Sequence, residues 1–265
     1  MPGREVLSEK GQRRRTWPWK GASQARASAG TFVQLAELLE LADKHPHTTA
    51  TLVVGRGPMF SAGANIKTVA QLKNKTSSEI LSEIGAKNLC LVHLFTSHRK
   101  LLVVGLNGPV IGLTASLVAL ADLVYAQNHK VFMSFPFTNI GLTTECAAAV
   151  SLPQRLGLST ALEHVLLAKP LSAAKLHALG LVNRVFDLDD CDEFNEQLTK
   201  MLNNELVGLD RESIFVNKRL MRHTFDTQVR AQALQETMSG VADWTANKPQ
   251  TAFDEIVAGK RRHKL

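Results

Sequence analysis

Residues 60–67 (FSAGANIK) have the composition of a loop that lets a ligand come close to the backbone. They follow an apolar run, and their small side chains leave the main chain accessible. A helical pattern begins at their end, where unpaired N–H groups could donate hydrogen bonds to an anion. A tight strand-to-helix turn is the simpler explanation when the segment is taken alone. The residues that could contact a ligand here are Ser61, Ala62, Gly63, Ala64, Asn65 and Ile66.

Residues 106–115 (LNGPVIGLTA) repeat this arrangement further along the chain. An apolar run again passes through a glycine-rich turn into a helical pattern. The N–H groups near Leu113 would therefore lie at the positive end of a helix. Close packing of that helix against a sheet also explains the glycines. The segment indicates a second possible site for an anion at a helix start.

Residues 139–148 (NIGLTTECAA) contain one carboxylate, Glu145, at the start of a pattern that predicts a helix over residues 145–157. A carboxylate in a suitable place can act as a general base and move a proton. A structural role explains it as simply, because Thr143 or Thr144 would cap the helix and Glu145 would interact favourably with the helix dipole. The residues alone leave both roles open.

The elements that must position these segments alternate between strands and helices. Short apolar runs bounded by glycine predict strands, and apolar residues at helical spacing predict helices. This alternation implies an α/β fold with crossover connections, and near-continuous apolar strands suit a sheet covered on both faces. The predicted strands lie at 49–57, 101–108, 122–127 and 130–135, and the predicted helices include 31–44, 77–95, 145–157 and most of 210–258.

The composition is typical of a soluble globular protein, with 45% hydrophobic and 21% charged residues. No apolar run approaches the ~20 residues that span a bilayer. The formal net charge is +7, but it is concentrated at the ends: residues 1–30 carry seven Lys or Arg against two Glu, and residues 259–265 carry four without an acid. Because the body of the chain is not basic, we do not expect nucleic-acid binding.

The first 30 residues are polar, basic and without helical or strand periodicity, so we predict a disordered leader over residues 1–30. Its stretch from Lys10 to Ala29 lacks acids, as transit peptides do. Cys90, Cys146 and Cys191 are far apart and show no metal-binding spacing, which is typical of reduced intracellular thiols.

Taken together, the three segments resemble the crotonase (enoyl-CoA hydratase/isomerase) superfamily, and in these motifs its fungal peroxisomal Δ3,Δ2-enoyl-CoA isomerases above all. The resemblance covers roughly residues 32–190, and includes the order of the segments and the sequels DLVYA, PFTNIGL and SLPQRLG. It implies a crotonase-like α/β fold: a β-β-α spiral core over residues 31–190 and a C-terminal helical region over residues 191–265. It also implies an oxyanion hole, in which the N–H groups of Ala64 and Leu113 hold the thioester oxygen.

The same resemblance assigns a reaction. Glu145 falls where peroxisomal enoyl-CoA isomerases carry their catalytic base. The two glutamates of hydratases correspond here to Ser116 and Phe137, which cannot activate water, and an apolar Phe137 in the substrate site would help to exclude it. Asn88 resembles an asparagine that faces the base in fungal relatives, although an exposed helix asparagine is an equal alternative. The resemblance thus implies conversion of a 3-enoyl-CoA to a trans-2-enoyl-CoA in β-oxidation of unsaturated fatty acids.

The resemblance also sets expectations for cofactors, partners and location. Coenzyme A is part of the substrate, and no cofactor or metal is expected. Relatives usually form trimers or hexamers, so a homo-oligomer is expected. The last residues, His263, Lys264 and Leu265, resemble the Ser-Lys-Leu peroxisomal address. They imply recognition by the peroxisomal import receptor, with the mitochondrion as the alternative location.

Two other functions stay open. A dienoyl-CoA isomerase, or another crotonase reaction, would be favoured by a second acid in the pocket, and the sequence has none at the expected positions. A non-catalytic acyl-CoA-binding paralogue would be favoured by the N-terminus, because family members usually have strands before the helix at 31–44 and this chain has the basic leader.

Overall fold

The computed structural model describes residues 4–7, 13–16 and 29–262 of the chain. Strands alternate with helices up to about residue 190, and the remainder is helical, as the apolar patterns predicted. The strands are β1 (Arg4–Leu7), β2 (Arg13–Thr16), β3 (Ala50–Val54), β4 (Leu101–Leu106), β5 (Val110–Ile111), β6 (Leu123–Ala126), β7 (Phe132–Ser134), β8 (Leu171–Ser172) and β9 (Arg184–Val185).

The α-helices are α1 (Ala29–Lys44), α2 (Ile66–Gln71), α3 (Ser77–Ile80), α4 (Ala86–Ser97), α5 (Leu113–Val118), α6 (Ala148–Leu156), α7 (Leu158–Leu166), α8 (Ala173–Ala178), α9 (Cys191–Glu205), α10 (Arg211–Thr245) and α11 (Lys248–Val257). A π-helical turn (Leu81–Gly85) joins α3 to α4, and a 3₁₀ turn (Thr138–Ile140) precedes α6. None of the helices in the described part of the chain is long and apolar enough to cross a membrane.

The larger sheet is parallel and has the strand order β3-β4-β6-β9. Its central strand, β4, is buried at every position except the first, because its run LLVVGL is covered on both faces. The outer strand β3 is half-buried throughout. The parallel register pairs Val104 with Val53 on one side and with Val124 on the other.

The smaller sheet joins the two glycine-rich segments. Its order is β5-β7-β8, and Val110 pairs with Met133 in parallel. Ser61 forms an isolated parallel bridge to Val110, so the first segment lies alongside the second. The N–H groups of Phe60 and Ser61 both donate to the carbonyl of Pro109, at 3.0 and 3.2 Å.

Eight residues of the predicted leader form two paired strands where we predicted disorder. Strands β1 and β2 pair antiparallel, with Arg4 opposite Thr16 and Leu7 opposite Arg13. A backbone ladder needs no apolar side chains, which explains why the arginine-rich sequence gave no strand signal. Among the described strands, β1 and β2 pair only with each other and not with the sheet edge at β3. The rest of the predicted leader, apart from the first residues of α1, lies outside the described residues.

The long helix α10 is anchored on the larger sheet by a buried charge network. The Asp122 carboxylate, which lies just before β6, accepts bonds from Lys218 at 2.6 Å and from Arg222 at 2.8 Å. It also accepts the N–H of Leu102 at 2.6 Å, and Arg222 pairs with Asp226 at 2.9 Å. Breaking a buried pair by removing one partner typically costs about 3–5 kcal/mol, so this network holds α10 firmly in place.

Helix α6 begins later than the sequence predicted. The expected helix over residues 145–157 begins only at Ala148, because Cys146 and Ala147 have φ values of 57° and 60°. These left-handed conformations cannot belong to a right-handed helix. Glu145 therefore lies on a turn in front of the helix and not in its first turn.

Candidate active site

The turn that carries Glu145 is strained. Left-handed backbone is unfavourable for residues other than glycine, and typically costs on the order of 1–3 kcal/mol at each position. Here two successive non-glycine residues, Cys146 and Ala147, adopt it. Such a conformation persists only where the surroundings impose it.

Glu236 on α10 imposes this conformation. Its carboxylate accepts the N–H of Ala147 at 2.6 Å, the N–H of Ala149 at 2.9 Å and the hydroxyl of Thr144 at 2.9 Å. Helix α6 has no N-cap side-chain bond of its own, so Glu236 satisfies the free N–H groups at its start. A side chain from another helix thus replaces a local cap.

Glu236 was not among the residues predicted from the sequence, although the sequence contains a signal for it. The buried face of α10 repeats at helical spacing, and Glu236 is the acid in the middle of that face, between Ala233 and Gly240. A carboxylate on an apolar stripe requires hydrogen-bond partners. The identity of those partners, almost a hundred residues away, could not be read from the stripe.

A second acid on α10 holds the other end of the same turn. Asp243 accepts the N–H of Thr143 at 3.0 Å and pairs with Lys248 at 2.7 Å. The segment from Thr143 to Ala149 is therefore fixed to one helix at both ends. Because α10 is itself anchored on the sheet, the position of Glu145 is set by the whole domain.

Asn88 makes the predicted contact with Glu145. Its side-chain amide donates to Glu145 Oε1 at 3.0 Å, and the residue is only 5% exposed, which excludes the alternative of an exposed helix asparagine. The π turn at Leu81–Gly85 precedes it, and π turns occur often at functional sites. At Gly85 a Cβ would lie 2.9 Å from the Thr237 side chain, so glycine allows α10 to approach this turn closely.

Burial raises the pKa of the Glu145 carboxyl above its ordinary value. The ammonium of Lys87, the amide of Asn88 and the indole of Trp244 lower this pKa, whereas the negative charge of Glu236 raises it. Burial also lowers the pKa of Lys87, whose Nζ lies 4.9 Å from the centre of the Phe32 ring. Glu145 therefore takes up a proton more readily than an ordinary carboxylate does, which suits a proton shuttle.

A small cavity adjoins the carboxylate. It measures about 10 Å³ and is lined by Ile84, Gly85, Asn88, Glu145, Cys146, Glu236, Thr237, Gly240, Val241 and Trp244. Ligand pockets usually measure about 300–1,000 Å³, so this cavity surrounds the acid groups and does not hold a whole substrate. Asn88 Oδ1 is buried and accepts no hydrogen bond from the described residues, and the buried Trp244 Nε1–H, which acts on the pKa of Glu145, donates to none of them with good geometry.

The structure brings the two predicted oxyanion segments together. Ser61 Oγ donates to Thr114 Oγ1 at 3.1 Å, and the N–H of Gly63 donates to Ser61 Oγ at 3.3 Å. Leu113 is the first residue of α5, and no described side chain caps this helix. Its N-cap, Gly112, has φ 67° and ψ −137°, which only glycine adopts readily. The half-buried Leu113 side chain packs in the cluster that contains Cys146 and Ala147, which connects this segment to the Glu145 turn.

The remaining predicted site residues are placed as follows. Asn65 caps α2 through a bond from the N–H of Lys67 at 3.0 Å, and Ile66 is the first residue of that helix. Ala62 is half-buried beside Gly63, and Ala64 is exposed. Phe137, which we predicted to contact substrate, is 2% exposed in the main core and does not line the cavity beside Glu145. Its backbone begins the 3₁₀ turn that follows, and its contact with substrate stays a prediction.

Two further predictions concern targeting and metals. His263, Lys264 and Leu265 lie outside the described residues. Within the described ranges, no group of three or more His, Cys, Asp or Glu side chains could hold a metal ion. The expectation that the reaction needs no cofactor stays a prediction.

Comparison with known proteins points to one family. Residues 27–255 match the family model described as enoyl-CoA hydratase/isomerase. A Delta(3,5)-Delta(2,4)-dienoyl-CoA isomerase of Saccharomyces cerevisiae is 34% identical over 88% of this chain and 89% of its own. A 3,2-trans-enoyl-CoA isomerase of the same yeast is 32% identical over 88% of this chain and 87% of its own.

Solved structures agree with the fold. The crystal structure of an enoyl-CoA hydratase/isomerase from Pseudoalteromonas atlantica is 24% identical, has a TM-score of 0.77 and covers 90% of each chain. OdaA of Pseudomonas aeruginosa is 22% identical, has a TM-score of 0.75 and covers 87% of this chain and 89% of its own. The predicted crotonase-like α/β fold is therefore confirmed.

The raised pKa of Glu145 predicts how stability depends on pH. A carboxyl whose pKa is higher in the folded than in the unfolded state makes the folded state bind more protons, so the free energy of unfolding falls as pH rises between the two values. Glu145→Gln removes this titration. We therefore expect the variant to be at least as stable as the wild type at neutral pH, with the difference disappearing at low pH.

Urea unfolding followed by circular dichroism at a series of pH values measures this difference. Glu163→Gln is the control, because Glu163 is exposed and its bond to Lys169 lowers its pKa, which gives the opposite sign and a small effect. A Glu145→Gln variant that is less stable than the wild type only at neutral pH would show that the fold stabilises the ionised carboxylate.

Proposed function

The chain belongs to the enoyl-CoA hydratase/isomerase family, the crotonase superfamily, and from this premise we propose that it converts a 3-enoyl-CoA to a trans-2-enoyl-CoA in β-oxidation of unsaturated fatty acids. Two similar yeast relatives are enoyl-CoA isomerases, which supports an isomerase. The observation that carries the finer proposal is the state of Glu145: a half-buried carboxylate that the Asn88 amide orients.

In the proposed mechanism, Glu145 removes a proton from C2 of the 3-enoyl thioester. The electrons of the broken C–H bond move into the thioester, and negative charge collects on its oxygen. The N–H groups of Ala64 and Leu113 hold this oxygen, and each such donor typically contributes ~3 kcal/mol. Glu145 then returns the proton to C4, which leaves the double bond between C2 and C3.

One carboxylate is enough for this transfer. C2 and C4 are only two bonds apart, so the same oxygen can reach both carbons with a small movement of the substrate. Glu236, the other acid at the cavity, is occupied by Thr144, Ala147 and Ala149. Its bonds leave Glu145 as the carboxylate that is available to exchange protons.

Hydration is not part of the proposal. The positions at which hydratases carry glutamates hold Ser116, which is fully buried, and Phe137, which is in the core. Neither side chain can act as a carboxylate base toward water. Addition of water to the 2-enoyl product would therefore lack the two carboxylates that hydratases use.

A dienoyl-CoA isomerase is the second candidate, and the presence of Glu236 at the Glu145 cavity favours it. Conversion of a 3,5-dienoyl-CoA to a 2,4-dienoyl-CoA moves a proton from C2 to C6, four bonds apart. A second acid would assist this longer transfer. A yeast relative that is 34% identical carries the name of this activity.

Assays with three substrates test the proposal: a 3-enoyl-CoA, a 3,5-dienoyl-CoA and a 2-enoyl-CoA. We expect the highest kcat/KM on the 3-enoyl-CoA and negligible hydration of the 2-enoyl-CoA. Removal of a general base typically costs ~100-fold or more, so Glu145→Gln should lose at least that much turnover. Binding of the product, measured by calorimetry, should be retained, and Glu163→Gln should behave like the wild type.

Each alternative has its own result in these assays. A higher kcat/KM on the 3,5-dienoyl-CoA would support the second candidate. A 3-hydroxyacyl-CoA as main product would contradict isomerisation. Product binding without turnover of any of the three substrates would support the non-catalytic paralogue.

Two substitutions at Leu113 test the oxyanion hole. Leu113→Ala keeps the backbone N–H and should affect mainly packing. Leu113→Pro removes the N–H at the first position of a helix, where proline is commonly tolerated. Loss of one donor typically lowers turnover ~100-fold or more, so the Pro variant should lose most activity and the Ala variant should keep most of it. Equal turnover in two variants that circular dichroism shows to be folded would exclude the Leu113 N–H as a donor.

We also propose a homo-oligomer and peroxisomal import. Leu158, Leu162 and Leu166 are exposed on one face of α7, and a second copy of the chain would bury them. The ending His-Lys-Leu should direct a fluorescent protein fused to the N-terminus into peroxisomes, and deletion of Leu265 should release the fusion to the cytosol. A mitochondrial signal from the intact chain would support the alternative location.

A further inference from the structure

We propose that Glu236 is a positioning residue for Glu145: its carboxylate clamps the left-handed turn that carries the base, and its negative charge opposes ionisation of that base. The inference rests on the proposed role of Glu145 as the general base. It concerns two separable properties of one side chain, its reach and its charge.

The clamp depends on the length of the Glu236 side chain. Glu236 extends from α10 to accept three bonds, from the N–H groups of Ala147 and Ala149 and from the hydroxyl of Thr144. These donors flank Glu145 and Cys146 in the chain, so the carboxylate ties the turn on both sides of the base. Without this carboxylate, the left-handed conformation would be unfavourable, because neither of the two residues that adopt it is glycine.

The two carboxylates differ in their hydrogen bonds. Glu236 accepts from three donors, whereas Glu145 accepts one hydrogen bond, from the Asn88 amide, and has the Trp244 indole as a second, weaker donor nearby. Hydrogen bonds to a carboxylate favour its ionised form. Where two acids share a site, the one with fewer donors takes the proton first. The hydrogen bonds therefore favour the ionised form of Glu236 more than that of Glu145, and Glu145 is the carboxylate that takes up the proton first.

The charges around the pair fix the direction of the effect. Burial is the main cause that raises the pKa of each carboxyl, and the charge of Glu236 adds to it at Glu145. Lys87 on α4 acts in the opposite direction at Glu145, and the Cys146 thiol, whose pKa burial raises, is neutral beside them. Removing the Glu236 charge should therefore make Glu145 a weaker base, with a lower pKa.

Two variants of Glu236 separate charge from reach. Glu236→Gln keeps the length, removes the charge and replaces one acceptor oxygen by an NH₂ group. We therefore expect kcat to fall and, in addition, the acid limb of the kcat–pH profile to move to lower pH. Glu236→Asp keeps the charge and shortens the side chain, so the acid limb should stay near its wild-type position while kcat falls. Misplacement of a catalytic group by about 1 Å can lower turnover ~100-fold, which sets the upper limit of the expected loss.

Asp243→Asn is the matched control. Asp243 is an acid on the same helix and accepts an N–H of the same turn, from Thr143, but its charge is paired with Lys248 at 2.7 Å. Its conversion to the amide should weaken the turn without moving the acid limb. A merely structural role for Glu236 would make Glu236→Gln behave like Asp243→Asn.

An NMR titration of carboxyl-labelled glutamate, with the Glu145 signal assigned from Glu145→Gln, makes the test independent of turnover. Folded Glu236→Gln should show a Glu145 midpoint at lower pH than the wild type. An unchanged midpoint, or an equal change in Asp243→Asn, would overturn the inference. Failure of the proposed function would show differently, as a wild type that does not turn over enoyl-CoA substrates while the Glu145 midpoint still responds to Glu236.

Discussion

The structure of the site depends on one constraint: a carboxylate must be held, partly buried, on a backbone turn that is unfavourable by itself. Cys146 and Ala147 adopt left-handed conformations without glycine, and the contacts of Glu236 and Asp243 hold the turn in place. The strain directs Glu145 toward Asn88 instead of leaving it in the first turn of α6. The base is thus defined by tertiary structure and not by its own helix.

The position of this turn depends on how α10 is fixed to the sheet. Glu236 and Asp243 can hold the turn only if α10 is itself fixed, and Lys218 and Arg222 fix it to Asp122 in front of β6. Gly85 lets α10 approach the π turn before α4, which carries Asn88. Three separate segments therefore carry the base Glu145, the amide of Asn88 and the carboxylate of Glu236. The long helix α10 sets their relative positions.

Local patterns were enough to predict β3, β4, β6 and β7 and the glycine-rich segments, because their signals are short runs of apolar residues and small residues at turns. The two-residue strands β5, β8 and β9 are too short to give such a signal. The pairing of Asn88 with Glu145 came from resemblance, and the hydrogen bond confirms it. The predicted start of α6 was wrong. The residues of the turn are compatible with a helix, and the hydrogen bonds that hold them in another conformation come from Glu236, which is distant in the sequence. Phe137 is buried in the core, and its contact with substrate stays a prediction.

The distance along the chain between the clamp and the turn has a consequence for the order of folding. The contacts of Glu236 with Thr144 and Ala147 close loops of about ninety residues, and contacts of such separation form late because loop closure must be offset before they contribute. During synthesis the glycine-rich segments and the sheet emerge well before α10. A nascent chain can therefore assemble most of its core while Glu145 still lies on an unclamped turn, and the base reaches its working position only when the last fifth of the chain has docked.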